Sequence, residues 1–95
     1  MAIEVIRADL IELRPKPCLV RADFKAKTID IVDEKQEFRS WNDPYYIGFD
    51  RIRTAEALVA WIMHLQEKTW FTDQHTRQMI FVWQQVTGKA VRFDA

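Results

Sequence analysis

The stretch TAEALVAWIMHLQEKTWFTDQHTRQMIFVWQQVTG, residues 54–88, decides the fold. Thr54 suits an N-cap, because its hydroxyl can accept one of the amides a helix start leaves unpaired. Glu56 falls in the first turn, where the helix dipole favours an acid. Leu58, Trp61, Ile62 and Leu65 follow at i, i+3, i+4 and i+7, which places them on one face. Val59 and Met63 make a second, smaller stripe about 100–140° away on a 3.6-residue turn. A helix with so wide an apolar surface either sits between a sheet and a second helix or forms part of a subunit contact. A second helix starts at Thr72-Asp73, where either residue can cap. Met79, Val82, Trp83 and Val86 share its apolar face, and Gly88 stands where a left-handed residue ends a helix. Gln74, Arg77, Gln78, Gln84 and Gln85 read as the opposite, polar face. Phe81 lies among them, either covered by the tail or open to a partner. The connector from Glu67 to Phe71 is short, so the two helices are expected to run antiparallel.

Before the helices the pattern changes to β structure. Val20, Ala22 and Phe24 alternate with Arg21, Asp23 and Lys25, and Ile29 and Ile31 with Thr28, Asp30 and Val32, but the apolar phase moves from even to odd numbers. A straight strand cannot change phase without turning its apolar face to water. A hairpin turn around Lys25-Ala26-Lys27 restores the phase, with a bulged long strand as the alternative. Tyr45, Ile47 and Phe49 alternate again and read as a short strand after the turn signal Ser40-Trp41-Asn42-Asp43-Pro44. Residues 3–13 are ambiguous. Ile3, Ile6, Leu10 and Leu13 follow a helical period, whereas Val5 and Ile11 fall off it. The β-branched content favours a strand, straight or bulged, ended by Arg14-Pro15-Lys16-Pro17. Asp33 to Glu37 reads as a charged connector, and Ala90 to Phe93 as an edge strand or a loose tail.

These elements predict an α+β fold: a small antiparallel sheet of three to four strands with a C-terminal antiparallel helix pair on one face. The 95 residues allow one domain, with strands mainly in 1–53, helices in 54–88 and a tail from 89. Fourteen Lys+Arg balance fourteen Asp+Glu, so neither a strongly basic nucleic-acid binder nor an acidic DNA mimic is expected. No apolar run approaches the roughly 18 residues of a membrane span, and Met1-Ala2-Ile3-Glu4 carries an acid where a signal peptide carries base. A soluble, cytoplasmic protein is expected.

The chemistry-bearing residues are sparse. With only Gly48 and Gly88, the glycine-rich loops that cradle phosphates and dinucleotides are absent. Cys18 is the single cysteine, which excludes an internal disulfide, and it reads as a small core residue. His64 and His75 could be neighbours across the helix pair, with Asp73 or Glu67 beside them. The spacing of a metal site is missing, and neither a metal nor a cofactor is expected. Without a nucleophile, base and orienting group in evident relation, the chain does not read as an enzyme. The surplus is aromatic: 13% of the chain is Phe, Trp or Tyr. Most of these rings belong in a core, and a minority left outside would anchor a partner. The candidate anchors are Trp41, Tyr45, Tyr46, Trp70 and Phe81. A homodimer through the helix pair would use Val59, Met63 and Phe81. The alternative is a small nucleic-acid-binding regulator that uses the basic residues on and before the hairpin, Arg14, Lys16, Arg21, Lys25 and Lys27.

A resemblance adds an origin. Trp41-Asn42-Asp43-Pro44-Tyr45-Tyr46-Ile47, Arg51-Ile52-Arg53-Thr54, Leu58, Trp61, His64-Leu65, Glu67-Lys68 and Trp70-Phe71-Thr72 form a pattern over residues 41–86. It resembles that of short uncharacterised accessory proteins of bacteriophages and prophages. The resemblance implies a phage or mobile-element protein that binds a host protein complex, such as a defence system, in the bacterial cytoplasm. Its matched residues are packing residues, and it assigns no functional role to any of them. The corner of His64, Glu67, Lys68 and Trp70 is explained by packing alone. It joins two helices, and Lys68 suits the negative end of the first.

Overall fold

The computed structural model describes residues 2–7, 9–14, 17–34, 41 and 44–89. Five strands precede two helices: β1 (Ala2–Arg7), β2 (Leu10–Arg14), β3 (Val20–Asp23), β4 (Thr28–Ile31) and β5 (Tyr45–Gly48). A 3-10 turn (Phe49–Arg51), α1 (Ala55–Leu65) and α2 (Asp73–Thr87) follow. The strands lie in the order β1-β2-β3-β4-β5, each antiparallel to the next. The fold is α+β, as expected, but the sheet has five strands where three to four were expected.

The extra strand comes from residues 3–13, which form a hairpin. Ile3 pairs with Leu13 and Val5 with Ile11, and the register then shifts before Arg7 pairs with Leu10. The reversal between Arg7 and Leu10 explains the ambiguous spacing. A helical period across Ile3, Ile6, Leu10 and Leu13 arises because the chain turns back in the middle of that stretch.

The phase change between Val20 and Ile31 is a hairpin. Ala22 pairs with Ile29 and Asp23 with Thr28 across a turn in which Lys27 has φ 58°. Asp23 Oδ1 accepts the amides of Lys25 and Ala26, both at 3.0 Å, so a side chain does what an Asn-Gly turn would otherwise do. The register sorts the sheet into two faces. Ile11, Ala22, Ile29 and Ile47 stand in one row and face the core. Arg21, Asp30 and Tyr46 stand in a row on the other side.

Helix α2 packs on β3 and β4, with Met79, Val82 and Trp83 buried. Trp83 Nε1 donates to the Ile52 carbonyl at 2.6 Å, which satisfies the ring's polar atom inside the core. Thr72 caps α2, and Gly88 ends it with φ 71°. Gln78 departs from the sequence reading. It is buried, not part of a polar face. Its Oε1 accepts the amides of Leu19 (2.8 Å) and Val20 (3.2 Å), and its Nε2 donates to the Pro17 carbonyl (2.8 Å). The amide side chain thereby pairs two backbone amides and a carbonyl where the chain enters β3.

Candidate functional site

Helix α1 is built to be half covered. The Thr54 hydroxyl accepts the Ala57 amide at 3.1 Å and fixes its start. Leu58, Ile62 and Leu65 are buried, a stripe of i, i+4 and i+7 that takes up one narrow side of the helix. Trp61, at the margin, is half-buried and donates from Nε1 to the Arg51 carbonyl at 3.2 Å. Val59 and Met63 point away, 53% and 64% exposed. Ala55, Ala60 and His64 are exposed as well. Glu56 is the one charged residue among the eleven of α1. An amphipathic surface helix ordinarily shows charged and polar groups to water. This one shows methyl groups and a thioether. Beside them Arg51, Ala57, Ala60, Trp61 and His64 line a shallow apolar groove of about 430 Å³.

The five aromatic candidates are placed differently from one another. Tyr45 lies on the core face of β5, half-buried, with its ring 6.3 Å from that of Trp70. Trp70 also meets Phe71 at 6.1 Å and His75 at 5.6 Å. Together with Lys68, whose Nζ lies 5.3 Å from the Tyr45 ring, these rings fill the corner between the helices. Phe81 is half-buried and packs against the core. Trp41 is half-buried beneath the Arg21 guanidinium, 4.0 Å from the ring centroid. Tyr46 alone is open, 68% exposed, on the outer face of the sheet. Val59 and Met63 are thus more accessible than four of the five rings. The sequence showed this second stripe on α1 but not whether anything covers it.

The basic candidates are also dispersed. Arg14 is exposed and pairs with Glu4. Arg21 is held over the Trp41 ring, and its Nε is buried without a hydrogen-bond partner among the described residues. Lys25 and Lys27 are exposed on the β3–β4 turn, and Lys16 lies outside the described residues. Across the outer face Asp30 answers Arg21, and its carboxylate accepts the Thr28 hydroxyl at 2.7 Å. Burial raises its pKa, against the opposing pull of that hydrogen bond and of Arg21.

The two histidines and the cysteine stand in separate settings. His75 is fully buried. Its Nε2 meets the Val32 carbonyl at 2.7 Å and its Nδ1 accepts the Thr72 amide at 3.1 Å. That arrangement needs the neutral ring protonated on Nε2, and burial lowers its pKa accordingly. His64 is exposed, set edge-on against Trp61 at 5.8 Å. Cys18 is fully buried in the core, as read from the sequence, and its Sγ lies 3.4 Å from the Val20 carbonyl. Among the described residues no three His, Cys, Asp or Glu side chains group to hold a metal, and no helix is long and apolar enough to cross a membrane.

Compared with protein-family models, curated proteins and solved structures, the chain matches none.

Proposed function

We propose that this chain is a small non-enzymatic binding protein that docks a host protein on the outer face of α1. One observation carries the reading: Val59 and Met63, one helical turn apart, stand exposed on a helix whose outer side is otherwise alanine, histidine and a single glutamate. Contact with a partner's apolar surface would remove that face from water, at roughly 25 cal/mol per Å². Helix-face docking of this kind needs neither cofactor nor catalytic group. The resemblance over residues 41–86 supports an accessory role in a phage or mobile element, acting on a host protein complex.

The test is affinity capture from the bacterial host with the parent chain and with Val59→Glu/Met63→Glu. The parent should enrich a discrete host protein that the double variant loses, while both chains melt alike. Identical captured sets would contradict the reading. Sedimentation of the purified chain addresses the other occupant. A monomer is expected, and a dimer dispersed by the double variant would make that occupant a second copy.

A further inference from the structure

A second concave feature lies where the β3–β4 turn, the 3-10 turn and the C-terminal end of α2 meet. It is a cleft of about 540 Å³ that shares no residue with the α1 face. Among the described residues, Lys27, Arg53 and Lys89 line it with Asp50 as the only carboxylate, and Phe49 and Val86 supply apolar wall. The whole chain is charge-balanced, so a local excess of two positive charges is not inherited from composition. Three segments distant in sequence supply the cations, and each is tied in place. The Phe49 amide donates to the Lys27 carbonyl at 2.8 Å, Lys89 Nζ donates to the Arg53 carbonyl at 2.9 Å, and Trp83 anchors Ile52 next door. The backbone framework is therefore organised before any ligand arrives. Lys89 keeps further N–H donors on its ammonium. The Thr87 hydroxyl is already used, donating to Trp83 and accepting from the Lys89 amide, which leaves recognition to the cations. Phe49 is half-buried and braced edge-on by Phe24 at 5.6 Å, so the cleft also has a fixed ring.

The geometry points to a phosphate-bearing, ring-containing ligand of nucleotide size, with its phosphate among Lys27, Arg53 and Lys89 and its base against Phe49. The volume lies in the range of small-molecule sites. Three cations exceed what a single carboxylate asks for and suit a phosphate, which carries up to two charges. All three are exposed, so binding is modest in affinity and sensitive to salt.

Amide NMR spectra of the ¹⁵N-labelled chain, titrated with a nucleoside 5′-monophosphate, the same nucleoside without phosphate, and inorganic phosphate, test this. The monophosphate should shift amides of residues 27, 49–53 and 87–89 saturably, and the bare nucleoside should bind at least about tenfold more weakly. Lys27→Gly keeps the positive φ and removes the ammonium; combined with Arg53→Gln it should weaken the monophosphate by about tenfold or more without changing the melting temperature. A short single strand with a 5′-phosphate, compared with the same strand lacking it, separates a free nucleotide from a strand end, and tighter binding of either ligand fits the site. Absence of saturable shifts, equal binding of nucleoside and nucleotide, or full binding by the double variant would overturn the proposal. Inorganic phosphate binding as tightly as the nucleotide would overturn the part given to Phe49. Should the double variant not fold, raising salt on the parent decides the point, since affinity that ignores salt is inconsistent with these cations.

Discussion

His75 and Gln78 do work that composition does not advertise. His75 occupies the position in the capping box where Glu or Gln usually stands: Thr72 Oγ1 receives the His75 amide, and His75 Nδ1 receives the Thr72 amide. The same ring reaches the Val32 carbonyl and so joins the start of α2 to the end of β4. Because burial lowers its pKa below the ordinary 6.5, the unfolded chain takes up a proton that the folded chain refuses. Stability from this group is complete above pH 6.5 and is lost as pH falls from there toward the lowered folded value. Urea unfolding between pH 8 and pH 5 should show that decline, and His75→Gln should flatten it. An equal slope in both chains would contradict the assignment. Gln78→Leu leaves the Leu19 and Val20 amides and the Pro17 carbonyl unpaired in or beside the core, and should cost about 2–4 kcal/mol in the same measurement. The signal for Gln78 was present in spacing. His75, Gln78, Met79, Val82, Trp83 and Val86 form one continuous stripe, and side-chain polarity alone argued for placing Gln78 outside.

At the scale of elements, the helices were legible because their start and stop chemistry is local. Thr54 and Thr72 both accept backbone amides, and Gly88 takes the left-handed conformation. Gly88→Ala should lower stability by about 1 kcal/mol through backbone strain alone, since an added Cβ there meets nothing within 4 Å. A thermal melt checks it. The β3–β4 hairpin was legible from the phase of its apolar residues. The β1–β2 hairpin was not, because its reversal mimics a helical period and its register is shifted by an irregularity between Val5 and Arg7. Exposure on α1 was illegible for a different reason. Spacing locates Val59 and Met63 on one stripe, but only the placement of α1 relative to its neighbours says whether that stripe is covered. For the same reason four aromatic candidates that sequence could not sort prove to lean on the core. Glutamate at positions 59 and 63 should change stability by no more than about 0.5 kcal/mol each, because neither side chain is part of the core.

The whole molecule combines a well-tied interior with an unusually plain outer helix. Its buried polar groups His75 and Gln78 are satisfied, and its buried tryptophan is hydrogen-bonded. The apolar surface at α1 therefore sits on a fold that holds itself together without it. The central claim is that a protein partner covers that surface. The most direct measurement replaces Met63 with a photo-crosslinking amino acid in the bacterial host, with Gln74, an exposed polar position on α2, as the control. Irradiation should give a discrete adduct from position 63, none from position 74, and none from position 63 when the chain also carries Val59→Glu. The same adducts from both positions, or an adduct indifferent to Val59→Glu, would contradict the account.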